Sequence, residues 1–360
     1  MLKEFDKKIV LEDGTEYYGY GFGANEEAIC NLTFNTSVVG YQEMISDPVN
    51  TYKIVDMTYP VIGNYGITDE DYEAKQPTIG GLIVREYNDQ PSNFRYTKTL
   101  SEVLEENNIP AIQGIDTRAL AKKIRNLENP KALLTDVNTN LKDAIQRIKE
   151  YDMPKDAVNK VSAKKKWYSR TSNPKYNVVA IDCGIKLSII RTLNKKGCNV
   201  TIVPYNTSYE KITALKPDGI LISDGPGAPE DIPETLELVE KLKGKYPIFG
   251  IGLGTSLITW AHGAKIKNGK IKGGGYSVRN LETSKIETVC QGHSYIIDEK
   301  SLKHTKLNVT HRNVITNEIE GIENKKDKIF GVEFHPESAP GPQDTMYIFD
   351  KFIDLMKGEE

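Results

Sequence analysis

The 360-residue sequence predicts an α/β protein, a mainly parallel sheet flanked by helices, preceded by a smaller mixed α+β domain. Three observations lead there. The length exceeds what one compact core usually takes and suits two domains. The second half alternates short apolar runs with helix-length amphipathic segments, the pattern of a parallel sheet covered on both faces. The first half holds isolated β-branched runs between turns, with fewer helices.

In order along the chain, Lys8 to Leu11 reads as a strand closed by the turn Glu12-Asp13-Gly14. Ala28 to Phe34, Ile54 to Tyr59 and Gly80 to Val84 read as further strands, bounded by Gly, Asn, Asp or Pro. Thr99 to Asn107 and Asp116 to Asn126 read as helices, the second with Asp116 as N-cap and Leu120, Ile124 and Leu127 on one face. Asn138 to Tyr151 is amphipathic. Residues 1–153 then form the amino-terminal domain. Residues 154–175 read as a linker, with the solvated run Lys164-Lys165-Lys166 and a Ser-Arg-Thr-Ser-Asn-Pro stretch.

Residues 176–360 form the second domain. Its apolar runs are Asn177 to Asp182, Asn199 to Pro204, Gly219 to Ser223, Tyr246 to Ile251 and Ile329 to Phe334. Helical stretches Leu187 to Lys196, Tyr209 to Leu215, Pro233 to Lys243 and Thr255 to Ala261 fall between them, with Gly244 placed to stop the third. Sites on such sheets lie beyond the carboxyl ends of the strands.

Composition excludes several classes. A net charge of -3 gives no electrostatic reason for a nucleic-acid or anionic-membrane partner. No apolar stretch approaches the roughly 20 residues that span a bilayer. Met1 to Leu11 lacks a signal-peptide core, so a cytoplasmic location is expected. Cys30, Cys183, Cys198 and Cys290 show no Cys-x-x-Cys spacing and read as reduced thiols. The five histidines are scattered, and no metal site is expected.

Three segments could carry chemistry. Ser223-Asp224-Gly225-Pro226-Gly227-Ala228-Pro229 follows an apolar strand, and its glycines allow a tight turn that presents backbone N–H groups. Gly250-Ile251-Gly252-Leu253-Gly254 lies between strand and helix, the setting of a nucleophile elbow, whose neighbours must be small and whose next N–H can serve an oxyanion hole. The central residue here is Gly252, so a nucleophile is missing. Phe334-His335-Pro336-Glu337 pairs a base with a carboxylate that would fix its tautomer. Each segment alone is compatible with a purely structural role. His311 has no neighbour in sequence that gives it one.

In this order the three segments resemble the class I (triad) glutamine amidotransferases. The narrower resemblance is to the carbamoyl phosphate synthetase small subunits. It rests on Leu11-Glu12-Asp13-Gly14-Thr15, Phe34-Asn35-Thr36, Gly40-Tyr41-Gln42-Glu43, Asp47-Pro48, Thr58-Tyr59-Pro60, Ile62-Gly63-Asn64, Ser92-Asn93-Phe94-Arg95 and Gly114-Ile115-Asp116-Thr117-Arg118. Asp182-Cys183-Gly184-Ile185-Lys186 and Pro340-Gly341-Pro342-Gln343-Asp344 match as well. The resemblance implies a subunit that hydrolyses glutamine and passes ammonia through a tunnel to a large synthetase subunit. That partner makes carbamoyl phosphate from bicarbonate with two ATP, for arginine and pyrimidine synthesis. It implies no cofactor here, ATP and Mg belonging to the large subunit, and a first domain that contacts that subunit.

The resemblance also implies site roles. His335 and Glu337 complete the triad, and the N–H groups of Gly225 and Leu253 form the oxyanion hole. Val49, Gly225, Gly227, Leu253, Ser256, Gly292, Ser294 and Tyr295 fall at glutamine-pocket positions. The sequence departs from the pattern there. The family's elbow is Gly-Ile-Cys-Leu-Gly-His-Gln, and Gly252, Thr255 and Ser256 replace its Cys, His and Gln. A Gln-Asn-His-Gly-Phe segment is here Gln291-Gly292-His293-Ser294-Tyr295. Val49 replaces a serine, and Lys272 to Ser277 replaces a His- and Asn-containing stretch. Thr255 and Ser256 read as helix caps, and Cys290, on another segment, is not expected to stand in for the thiol. Three readings follow: a small subunit that no longer supplies ammonia, a non-enzymatic regulatory or scaffold pseudo-amidotransferase, and an active glutaminase with another nucleophile or with Gly252 as an isolated or engineered substitution.

Overall fold

The computed structural model describes residues 4–269, 273–292 and 295–358. The described chain forms two compact units, residues 4–154 with 273–274, and residues 155–269 with 275–358.

The first unit is a closed seven-stranded barrel. Its strands are β1 (Lys7–Leu11), β2 (Glu16–Gly23), β3 (Ala28–Asn35), β4 (Lys53–Ile62), β5 (Gly81–Tyr87), β6 (Pro110–Gln113) and β7 (Lys131–Asp136). They close in the order β1-β2-β6-β5-β4-β3-β7, with β1 and β7 antiparallel and Ile9 opposite Leu134. Closure leaves no edge strand to template association. Ile9, Leu32, Ile54, Ile83, Ile112 and Leu134 pack together in one apolar core, alternating along their strands with residues of the other face. The helix Thr117–Ile124 begins where expected, with the Asp116 carboxylate accepting from the Ala119 amide at 3.1 Å. The sequence pattern shows an α+β unit but not the barrel. Strand β2, rich in Gly and Tyr, and strands β6 and β7 are absent from that reading.

The second unit adds β8 (Trp167–Ser169), β9 (Tyr176–Asp182), β10 (Cys198–Pro204), β11 (Gly219–Ile222), β12 (Ile248–Ile251), β13 (Ile266–Asn268), β14 (Gly274–Asn280), β15 (Ile286–Gln291), β16 (Tyr295–Ile297), β17 (Asn308–Asn313), β18 (Ile319–Asn324) and β19 (Ile329–Val332). Ten of these form one sheet, in the order β15-β14-β17-β18-β19-β12-β11-β9-β10-β8. Its centre, β19-β12-β11-β9-β10, is parallel throughout. Strands β18, β17 and β14 extend it antiparallel on one side, and β8 closes the other edge antiparallel to β10.

The central strands are buried on both faces, which explains their continuous apolar runs. Val179, Ile181, Ile220, Ile222 and Ile248 pack beneath the helices Pro233–Leu242 and Leu253–Ala261. Val178, Ala180, Leu221, Phe249, Ile251 and Phe330 face the helices Leu187–Lys195 and Tyr347–Lys357. Phe249 and Phe330 stack with ring centroids 4.6 Å apart.

Residues 154–175, expected as a linker, are structured within the second unit from Lys155 onward. They carry the helix Ala157–Val161, whose Val158 is buried in the core, and the edge strand β8. The polar lysine run hides this because the apolar anchors are few, Ala157 and Val158, and the rest is held by the Trp167–Ser169 pairing and by polar contacts such as the Ala163 amide to Asp182 and the Tyr205 amide to Ser162.

Candidate functional site

Four adjacent parallel strands deliver the site. Strand β9 leads into Cys183-Gly184-Ile185-Lys186, β11 into the turn Ser223 to Gly227, β12 into Gly252, and β19 into Glu333-Phe334-His335. In the sheet Ile181 pairs with Ile222, Ile222 with Gly250, and Ile251 with Val332, so the four strands end at one level. This is the carboxyl edge, where backbone turning into loops can present functional groups.

The turn after β11 lies tightly on the loop after β9. A Cβ added at Gly225 would fall 2.2 Å from the Cys183 carbonyl oxygen, so only glycine fits there. Ser223 Oγ accepts from the Cys183 amide at 3.0 Å and holds the two loops together. Asp182 fixes the β9 loop by accepting from the Gly184 and Ile185 amides.

Gly252 has φ 50° and ψ -112° and is the last residue before the helix Leu253–Ala261. A non-glycine residue held in such a sparsely populated conformation costs about 1–3 kcal/mol, the strain that a nucleophile elbow stores. The space in front of Gly252 is filled. A Cβ built there would lie 2.2 Å from both Cγ and Oδ1 of Asp224. Asp224 Oδ1 accepts two hydrogen bonds, from the Gly225 amide at 2.8 Å and from the Leu253 amide at 2.8 Å. These are the two N–H groups expected as oxyanion donors. The carboxylate also sits at a helix N-terminus, where negative charge is favoured.

His335 completes the cluster. Its Nδ1 lies 3.1 Å from Glu337 Oε1, and its Nε2 lies 3.8 Å from Asp224 Oδ2. Its amide donates to the Cys290 carbonyl at 3.0 Å. Glu337 is fully buried and is paired a second time, with Lys186 Nζ 2.7 Å from the same Oε1. Lys186 Nζ also donates to the Ala339 carbonyl at 2.6 Å. Burial pushes the Glu337 carboxyl up, but the Lys186 ammonium and His335 beside it outweigh that and hold it well below the usual carboxylate range. Glu337 therefore stays ionised and orients the imidazole.

The structure thus brings together Gly225, Gly252, Leu253, His335 and Glu337. Gly227, with φ 86°, is exposed at the rim of the turn, and the Asp231 carboxylate accepts from the next amide, Ala228. Ser256 is buried one turn into the helix, 3.5 Å from Glu333 Oε1. Gly292 and Tyr295 are half-buried on either side of His293 and Ser294, and both of these lie outside the described residues. Burial pushes the Tyr295 phenol up. Val49 belongs to the first unit, buried in the short turn Pro48–Asn50, where its amide donates to Asp47.

Thr255 and Ser256 do not cap the helix, as the sequence had suggested. The Thr255 hydroxyl lies 2.7 Å from the Val332 carbonyl and 3.0 Å from that of Gly250. The helix starts two residues earlier than read, at Leu253, so both hydroxyls fall past the first N–H groups and turn to the strands. Asp224 takes the terminal N–H instead. His311 is buried in a structural cluster with Thr310, Tyr347 and the edge of Phe334, and burial pulls its pKa down to about 4.

Two residues escaped sequence reasoning. Asp224 lies within Ser223 to Pro229, where the sequence assigns it no role. Its signal is a carboxylate placed one residue before Gly225, whose N–H is expected to face the site. Lys186 was read only as part of a matching segment, although a lysine just beyond a buried strand calls for a buried partner.

Chemically, the constellation sets the His335 imidazole against the Glu337 carboxylate, and position 252, a glycine, offers no side chain that could attack a carboxamide. No group of three or more His, Cys, Asp or Glu side chains suited to a metal ion occurs among the described residues. Cys183 is fully buried and its thiol is pushed well up by that burial. Cys290 Sγ lies against Gly341, where an added Cβ would come within 2.7 Å of it. No helix among the described residues is long and apolar enough to cross a membrane.

Two family models match the chain in succession. The carbamoyl-phosphate synthase small chain, CPSase domain, matches residues 9–134, and the class-I glutamine amidotransferase matches residues 179–355. A carbamoyl phosphate synthase small chain from Staphylococcus epidermidis is 44% identical over 352 residues, 97% of this chain and 95% of that one. The protein of that name from Fusobacterium nucleatum is 42% identical over 351 residues, 97% and 98% of the two chains. One from Listeria monocytogenes is 41% identical over 355 residues, 98% and 97%. With both domains matched in order and this identity sustained over nearly all of its length, the chain belongs to the carbamoyl phosphate synthase small chain family.

Proposed function

We propose that this chain serves as the small subunit of a carbamoyl phosphate synthase that has lost glutamine hydrolysis, and that the complex uses free ammonia. The observation that carries the reading is the state of the elbow: Gly252 has no side chain, and Asp224 lies where one would project. Loss of the nucleophile from a triad hydrolase costs about 10⁶-fold in turnover. Ser256, Gly292 and Val49, at positions where the family grips glutamine, weaken the substrate site further. The remaining His335–Glu337–Lys186 network is buried and paired, so it persists as structure without the reaction.

In this reading the first unit carries much of the surface for a large synthetase subunit, with about 800 Å² per partner needed for a stable interface. ATP and Mg bind that subunit, and the small chain holds no cofactor. The setting is the cytoplasm, the product serving arginine and pyrimidine synthesis. The test is carbamoyl phosphate formation by the chain with its cognate large subunit, on glutamine and on ammonia. The expected result is co-purification of the two chains, synthesis on ammonia, and no glutamate release. Glutamine-dependent synthesis at a normal rate refutes the loss. Failure to associate at micromolar concentration favours a free-standing regulatory protein instead.

A further inference from the structure

We infer that Asp224 is a resident ligand of the oxyanion cradle: its carboxylate occupies the place of the developing oxyanion and closes the site against acyl chemistry. The geometry is specific. Two backbone N–H groups from different strands, Gly225 after β11 and Leu253 after β12, converge on one oxygen, each at 2.8 Å. Convergent donors at a helix N-terminus make an anion site. A tetrahedral intermediate needs those same two donors for its own oxygen. While Asp224 holds them, that oxygen has no place to bind. The second Asp224 oxygen faces His335 Nε2 at 3.8 Å, the nitrogen that would receive the nucleophile's proton.

The carboxylate also excludes the nucleophile. A Cβ at position 252 overlaps Asp224 Cγ, so thiol and resident carboxylate compete for one volume. Glycine at 252 and aspartate at 224 are therefore mutually permissive. The consequence for glutamine rests on the function proposed above, but the filled cradle is a separate claim with its own readout.

The experiment uses the whole chain without the large subunit. Asp224→Ala removes the resident carboxylate, and sodium formate is the probe that can replace it. Asp224→Ala is expected to melt below the native chain and to be raised by formate, with chloride at equal ionic strength having no such effect. The native chain should not respond to formate. A second arm introduces a thiol and follows iodoacetamide labelling at residue 252 by peptide mass spectrometry. The Gly252→Cys/Asp224→Ala chain should label faster than Gly252→Cys by tenfold or more, the scale set by removing a charged, hydrogen-bonded occupant. Formate stabilising the native chain and Asp224→Ala alike overturns the inference. So does an unchanged melting point in Asp224→Ala, or equal labelling of the two cysteine variants. These outcomes do not depend on whether the complex uses glutamine, so failure here and failure of the proposed function are told apart.

Discussion

The Leu253 amide donates to the Asp224 carboxylate at 2.8 Å, joining the first turn of one helix to a loop 29 residues earlier in the chain. That contact changes what reconstruction of the site requires. On sequence grounds, Gly252→Cys alone should fail because the glutamine grip is missing, and adding Ser256→Gln and Gly292→Asn should restore turnover. With Asp224 against both donors, the triple variant should remain at background, and activity should emerge only when Asp224→Ala is added. The measurement is steady-state glutamate release with the large subunit present. Normal turnover by the triple variant with Asp224 intact would show that the carboxylate gives way to the thiol without difficulty.

Much of this arrangement was legible beforehand, for a physical reason. Strands β9, β11, β12 and β19 are buried on both faces, so they appear as unbroken apolar runs, and their ends mark the site. Gly252, His335 and Glu337 could be read because each sits in a local pattern tied to a strand end. The barrel could not. Its closure depends on pairing β1 with β7, as in Ile9 with Leu134, across more than a hundred residues of chain. Strand β2 has glycines at alternate positions where an apolar pattern would otherwise reveal it. The roles of Asp224 and Lys186 were hidden for the same reason as the barrel. Each acts on a group brought in by a different strand, and spacing along the chain carries no trace of that approach.

Lys186 and Glu337 form an ion pair with side chains only 2% and 0% exposed. Removing one member leaves the other charged and buried, which typically costs about 3–5 kcal/mol. Lys186→Met should therefore lower the urea midpoint strongly. Replacing both, as Lys186→Met with Glu337→Leu, should recover much of the loss, because two apolar groups of similar volume need no counter-charge. His335 keeps Glu337 beside its Nδ1 in Lys186→Met and loses that partner only where Glu337 is replaced. Equilibrium urea unfolding of the native chain, both single variants and the double variant gives the coupling. Strictly additive losses would show that the pair is not energetically linked.

His311 supplies a pH dependence. Burial holds its pKa at about 4 against an ordinary 6.5, so the folded protein keeps the ring neutral while the unfolded chain protonates it. Between those values the unfolded state binds more protons, and stability falls as pH falls. The contribution is fully present above about pH 6.5 and is lost progressively toward pH 4, up to about 3 kcal/mol. Glu337, held low, adds its own loss only below the ordinary carboxylate range, so the two windows separate. Urea midpoints at pH 7 and pH 5 should differ clearly in the native chain and less in His311→Gln. An equal pH slope in both proteins would assign the dependence to other groups.

Asp56 in the barrel runs the opposite way. It lies on β4, is fully buried, and neither carboxylate oxygen has a hydrogen-bond partner among the described residues. Burial raises its pKa well above the ordinary value, and nearby Asp116 pushes in the same direction. The folded chain retains the proton that the unfolded chain releases once pH passes the usual carboxylate range. Stability is then lost as pH rises from that range toward the raised folded value. A neutral but unpaired acid group still costs about 1–3 kcal/mol of desolvation. Asp56→Leu, close in volume and apolar, removes both terms. It should raise the unfolding free energy at pH 8, by about 1 kcal/mol or more, and raise it less at pH 4, where both states of the native chain approach neutrality at this position. Asp56→Asn removes the titration but keeps a polar group to satisfy, so it should flatten the pH dependence with a smaller gain. Denaturant titrations of the three proteins at the two pH values decide the matter. A destabilised Asp56→Leu at pH 8 would mean that the carboxylate is held by interactions that favour its charged form.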